Sequence, residues 1–266
     1  MSNIDDRYSR KIAVHDYYED PNGRIYNIRN VEYPHNRKPG YFGKFIIATK
    51  DEQIDSFSEE PTGMIIYQDE QNPNIGYRIY RGIFWGARTF YFNDGCLDAR
   101  IIEELQKRQS TVKLTEFPTG VVTVCKQVIG QEMPFYPNAY TLKQFAEKIK
   151  ENPNKIKLLT NSYISVFKSF EELINNEIFY GDLHTSNIMV NKDNSNITNI
   201  IDFASTYTEF GKLTSSRLKT YQTDFANIVN VANEFAGINY ELDELHSDKP
   251  VEEAIEKVLK MEYKVR

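Results

Sequence analysis

Two short stretches decide how this chain reads: Tyr180-Gly181-Asp182-Leu183-His184-Thr185-Ser186-Asn187-Ile188-Met189-Val190 and, further on, Ile200-Ile201-Asp202-Phe203. Each sets polar, oxygen-bearing side chains beside a short apolar run. Ile188 to Val190 and Ile200-Ile201 have the composition of short buried strands. Strands of that kind hold residues at their ends rigidly, so Asp182, Asn187 and Asp202 are placed on a fixed frame. Taken singly, a Gly-Asp-Leu-His is a turn and an Asp-Phe after two isoleucines is a strand end. Their order, spacing and apolar flanks together carry the signal.

Working outward, Lys155 to Asn175 is a helix. Ile156, Leu159, Tyr163, Val166, Phe167, Phe170, Leu173 and Ile174 recur at helical spacing and form one apolar stripe, read as core packing. A shorter helix is expected over Thr141 to Ile149, and two more over about Asp224 to Phe235 and Val251 to Lys260. Upstream of Met133 the chain is strand-rich. Lys44 to Thr49, Gly63 to Tyr67, Gly76 to Ile83, Arg88 to Phe92, Gly120 to Cys125 and Gln127 to Met133 are short segments rich in aromatic and β-branched residues, separated by Gly, Pro, Asn and Asp. One helix interrupts them, Leu97 to Arg108, with Leu97, Ile101, Ile102 and Leu105 on one face. Strands first and helices after predict an α+β protein in two lobes, 1–133 and 134–266, with the Pro- and Asn-rich stretch from Met133 to Asn138 as the hinge.

The 266 residues suffice for one large domain or two small lobes, and the mixture of 40% hydrophobic and 26% charged residues is that of a globular chain. A net charge of -6 argues against a general nucleic-acid binder, which needs a basic face. Cys96 and Cys125 lack metal-type spacing, and His15, His35, His184 and His246 are scattered, so neither a disulfide framework nor a zinc site is expected. The polar opening Met1 to Lys11 lacks the apolar run of a signal peptide, and no stretch is apolar enough to span a bilayer. The expectation is a cytoplasmic protein that is not inserted in a membrane.

The two deciding stretches resemble the catalytic loop and metal motif of the protein-kinase-like superfamily, H-R-D-L-x-x-x-N followed by D-F-G. Asp182 and Asn187 keep the D-x-x-x-x-N spacing, and Asp202-Phe203 supplies D-F downstream. The wording Gly181-Asp182-Leu183-His184 resembles atypical members: aminoglycoside phosphotransferases, choline kinases, RIO-like kinases and small effector kinases of bacterial pathogens. Tyr180 and Gly181 stand where typical kinases have His and Arg, and Ala204 where they have Gly. The resemblance spans about Gly40 to Phe235 and is strong only from Gly120 onward.

The resemblance implies a bilobal kinase-like fold with a truncated helical C-lobe, and ATP and Mg²⁺ as cofactors. Phosphoryl transfer asks a protein mainly for positioning and for neutralisation of phosphate charge. Asp182 would be the catalytic base, and Asn187 and Asp202 the metal ligands. Glu132 and Met133 would meet adenine through their backbones. The helix Leu97 to Arg108 would offer Glu104 rather than Glu103 to the phosphate-binding cation. That cation is the departure from pattern, because no lysine occurs between Asp51 and Gln106; Arg88 occupies a plausible place, Arg78 and Arg81 are further options, and Lys44 or Lys50 could serve only if the intervening segment is an insertion. Asp224 would open and cap the helix that follows the activation segment, and His184 would pack the loop. The expected acceptor is a Ser or Thr hydroxyl of a protein. If the chain is an effector, it acts inside a host cell. The alternatives are a pseudokinase serving as a binding module and a small-molecule kinase.

Overall fold

The computed structural model describes residues 17–19, 25–27, 31–32, 44–45, 64–68, 72–80, 99–124, 127–203 and 207–264. The expected strand Arg88 to Phe92, Arg88 with it, lies outside these residues, as do Cys96 and Cys125. The described residues form a mixed α+β structure whose sheets are antiparallel throughout.

The chain divides into two compact units. The first comprises Met1–Gln106, Phe117–Pro137 and Ala204–Thr206. Strand β1 (Tyr17–Glu19) pairs with β2 (Ile25–Asn27). A six-stranded sheet follows, built from β3 (Val31–Glu32), β4 (Lys44–Phe45), β5 (Met64–Gln68), β6 (Ile75–Tyr80), β7 (Gly120–Val124) and β8 (Gln127–Pro134) in the order β3-β7-β8-β6-β5-β4. The central strand β8 runs between β7 and β6, so Glu132 faces Gly120 on one side and Tyr77 on the other. Helix α1 (Ala99–Arg108) ends on Lys107 and Arg108, basic side chains at the negative end of the helix dipole. It buries Ile101, Ile102 and Leu105, leaves Glu103 exposed and holds Glu104 half-buried.

The second unit comprises Lys107–Glu116, Asn138–Phe203 and Tyr207–Arg266. Strand β9 (Ala139–Thr141) runs straight into helix α2 (Leu142–Lys148). A reciprocal cap marks the junction: Thr141 Oγ1 accepts from the Gln144 N–H and Gln144 Oε1 from the Thr141 N–H, each at 3.2 Å. Helix α3 (Lys155–Asn175) is the axis of this unit and buries Leu159, Tyr163, Val166, Phe167, Phe170 and Leu173 completely. After it come β10 (Ile178–Tyr180), β11 (Ile188–Asn191), β12 (Thr198–Ile200) and β13 (Thr208–Phe210). Strands β12, β11 and β9 make a three-stranded sheet in that order, and β10 pairs with β13.

Helices α4 (Ser215–Phe235) and α5 (Pro250–Lys264) pack on α3. Aromatic rings join α3 and α4: Phe167 and Phe225 lie 4.8 Å apart, and Phe170 meets Tyr221 edge-on at 5.3 Å. At the far end Tyr163 gives its hydroxyl proton to Asn233 Oδ1 at 3.0 Å, and burial pushes its pKa well up. The segment 107–116 is tied to α3 by Glu172, whose two carboxylate oxygens accept the Lys113 and Leu114 N–H groups at 2.8 and 2.7 Å.

Helix α4 corrects one expectation. It starts nine residues before Asp224, at Ser215, and its cap is Thr214, whose Oγ1 accepts the Arg217 N–H at 3.3 Å. Asp224 therefore lies in mid-helix and caps nothing. Among the described residues no helix is long and apolar enough to cross a membrane.

Candidate active site

The site is built at the ends of three strands of the second unit. Strand β10 delivers Tyr180 with no exposed surface and then stops at Gly181, whose N–H still reaches Tyr207 O at 2.8 Å. The glycine is a packing requirement. A Cβ there would stand 3.0 Å from the Phe179 ring and 3.3 Å from the Tyr207 carbonyl, so a longer residue in the place typical kinases give to Arg would displace one of them. Helix α4 braces the strand from behind: Tyr221 Oη accepts the Tyr180 N–H at 3.1 Å and donates to Ile178 O at 3.4 Å.

Asp182 follows, its side chain about one-third exposed (33%). The chain then makes a single 3₁₀ turn, Thr185–Asn187, capped by His184, whose Nδ1 accepts the Ser186 N–H at 3.3 Å. A nitrogen that accepts carries no proton, so the proton of the neutral ring sits on Nε2, 4.0 Å from Asp182 Oδ1. Rather than packing the loop as the sequence predicts, the half-exposed His184 ring caps the turn, and its other nitrogen faces the carboxylate.

Asn187 returns the chain to Asp182. Its Nδ2 donates to Asp182 Oδ2 at 3.2 Å, to Asp182 O at 3.0 Å and to Tyr180 Oη at 2.9 Å. All three partners are oxygens with lone pairs to offer, which fixes the amide: nitrogen inward, carbonyl oxygen on the opposite side. The main chain of Asn187 is tied as well, its carbonyl accepting the Ile201 N–H at 2.9 Å. Strands β11 and β12 form the hairpin behind this bond, with Ile188 opposite Ile200, and α3 holds the hairpin through Thr198 Oγ1 to Ser165 Oγ at 2.8 Å.

Asp202 comes next, with φ at +70°, one of two non-glycine residues with positive φ in the described chain. The left-handed backbone costs an L-residue about 1–2 kcal/mol, least for Asp and Asn. The turn sends consecutive side chains to different surroundings. Phe203 is buried against the Tyr180 ring at 4.8 Å, while Asp202 stays partly exposed. A strained acidic residue beside an oriented amide is the kind of arrangement that functional sites hold in place.

Asp224, from mid-α4, also belongs to this surround. Its carboxyl is pushed up from 3.8 to about 6, first by burial and second by the negative charge of Asp182.

The structure thus brings Asp182, Asn187 and the backbone leading to Asp202 into one hydrogen-bonded group. An amide oxygen and a carboxylate are hard donors of the kind Mg²⁺ selects, and the inward lock on the amide nitrogen leaves the oxygen end for a cation. Among the described residues no group of three or more His, Cys, Asp or Glu side chains could hold a metal ion, so a cation here would rest on the oxygens of Asn187 and Asp202 and on its own ligands. The other candidate residues lie in the first unit. Lys44 opens β4 opposite Gln68, and Glu104 sits on the half-buried face of α1. Met133 faces Gly76 across the ladder. Glu132 is fully buried, its carbonyl taking the Thr119 N–H at 2.9 Å and its Oε1 the Thr119 hydroxyl at 2.6 Å, so its backbone oxygen already serves the sheet.

Sequence reasoning missed Tyr180, noted only as a substitute for His. The available signal was a tyrosine at the end of an apolar strand: a buried phenol needs a hydrogen-bond partner, and polar residues follow at once.

No family model matches the chain, and no curated protein matches it. Among solved structures, a chain described as WaaP in complex with acyl carrier protein overlays with a TM-score of 0.47 at 13% identity, over 78% of this chain and 86% of that one. A likeness of that size fixes neither fold nor function.

Proposed function

We propose that this chain is an ATP-dependent phosphotransferase of protein-kinase-like fold, which moves the γ-phosphoryl of ATP to a hydroxyl group. The supporting observation is the Asn187 amide, turned by three hydrogen bonds so that its nitrogen grips Asp182 and Tyr180 while its main chain anchors the strand leading to Asp202. Asp182 orients the acceptor hydroxyl and takes its proton. Asn187 Oδ1 and the Asp202 carboxylate hold Mg²⁺, which when bound neutralises phosphate charge. In the first unit we assign nucleotide contacts to Arg88 or Lys44 with Glu104, and to Met133; Glu132 drops out, because its backbone carbonyl is taken by the Thr119 N–H. The acceptor class to try first is Ser or Thr of a protein.

The lack of a lysine between Asp51 and Gln106 favours a second reading, a pseudokinase that binds nucleotide or protein without turnover. Incubation with γ-labelled ATP and Mg²⁺ separates the two. Label should pass to the chain itself or to an added acceptor, and fall by about 10²–10⁴-fold in Asp182→Ala. Equal labelling by Asp182→Ala would overturn the catalytic assignment. No labelling, with Mg-ATP still raising the melting point, would select the second reading.

A further inference from the structure

The Tyr180 hydroxyl bonds one metal-ligand candidate, Asn187, and Ile201, the residue just before the other. It has one proton, and the geometry accounts for it: Oη donates to Ile201 O at 2.9 Å and accepts from Asn187 Nδ2 at 2.9 Å. One bond turns the Asn187 amide. The other grips the carbonyl of the peptide that carries Asp202, the residue at φ +70°. Ile201 is thereby held from both ends, since its N–H already bonds Asn187 O. The tyrosine cannot drift, because its ring is fully buried between Phe203 at 4.8 Å and Phe170 at 6.3 Å.

We propose that Tyr180 is a positioning residue, whose hydroxyl sets the amide of Asn187 and the backbone of Asp202 at once for a divalent cation. It touches neither nucleotide nor acceptor and acts only through those two residues. The inference rests on the phosphotransferase reading above. Groups that orient metal ligands from behind typically change metal affinity about 10–100-fold when removed. Tyr180→Phe keeps the ring and deletes both bonds, leaving Asn187 Nδ2 with Asp182 alone and Ile201 O without its donor.

The test is Mn²⁺ binding by electron paramagnetic resonance, in the presence of ADP, with the full chain. The wild type should bind, and Tyr180→Phe should bind about 10–100-fold more weakly. Tyr163→Phe is the control. The Tyr163 hydroxyl is equally buried but bonds Asn233 Oδ1 and no residue of the site, so its loss should lower the melting point and leave Mn²⁺ affinity unchanged. Equal affinity in wild type and Tyr180→Phe overturns the positioning role and leaves the phosphotransferase reading standing. No Mn²⁺ binding by wild type overturns both. Should Tyr180→Phe fold poorly, the comparison is made below its melting point, where circular dichroism shows both proteins folded. Weaker Mn²⁺ binding by the folded variant is then expected, and equal binding overturns the proposal.

Discussion

Asp202 concentrates two demands in one residue, a carboxylate for a cation and a left-handed backbone that side chains resist. The two separate by substitution. Asn tolerates positive φ nearly as well as Asp, whereas Ala pays the full cost, so Asp202→Ala should unfold in urea about 1 kcal/mol more easily than Asp202→Asn. Both should lose Mn²⁺ binding in the presence of ADP. Equal stability of the two variants would mean that φ near +70° is no burden at this position. Asp224 poses the opposite problem, a charge the fold would rather not have. Its carboxyl titrates near 6 folded and near 3.8 in the unfolded chain, so the folded state holds the proton longer. Stability is therefore greatest below about 3.8 and falls as pH rises through about 6, after which the cost is constant. Because the group is only partly buried, solvent screening reduces that cost to about 1 kcal/mol. Asp224→Asn should stabilise the protein at pH 7.5 and give no gain at pH 4, and a gain that did not change with pH would sink this account.

At the scale of elements, helix α4 shows what a chain discloses and what it hides. Its second half, with Phe225, Ile228, Val229 and Ala232 buried, was legible from apolar spacing. Its first half was not, because the run from Ser215 to Thr223 is polar and has only Tyr221 as a buried anchor. That anchor gains its worth from tertiary contacts with Phe170 and β10 that no local pattern records. Thr214 supplies the cap, and Thr214→Ala should cost about 1 kcal/mol in urea unfolding. Helix α3, by contrast, carries a continuous apolar stripe, and its bounds Lys155 to Asn175 are those the stripe predicts. The Thr141–Gln144 cap shows that α2's first turn also follows a local rule. For the site, the spacing of Asp182 and Asn187 was visible because loops of fixed length impose it. The direction of the Asn187 amide was not, since it depends on a tyrosine hydroxyl brought in by β10 and on the carboxylate and main-chain carbonyl of Asp182.

For the molecule as a whole, the question is whether binding at these few residues is felt by the entire fold. Asp182, Asn187 and Asp202 all belong to the second unit, as do helices α2 to α5, so ellipticity at 222 nm chiefly follows the unit that holds them. A ligand that binds only the folded state stabilises it by mass action, by about 2.7 kcal/mol at a free concentration one hundred times its dissociation constant. In a chain of 266 residues that corresponds to a rise in midpoint of roughly 5–8 °C. Mg-ATP should produce such a rise, and chelating the metal should remove most of it. Asp202→Asn should abolish the shift because it loses a cation ligand. Asp182→Asn should keep it, because the role given to Asp182 is toward the acceptor hydroxyl and Asn can still accept the Asn187 N–H. A shift that survives Asp202→Asn unchanged would place the nucleotide's metal elsewhere in the chain. A shift lost equally in both variants would mean that Asp182 holds the metal too, and the division of labour between the two aspartates would have to be redrawn.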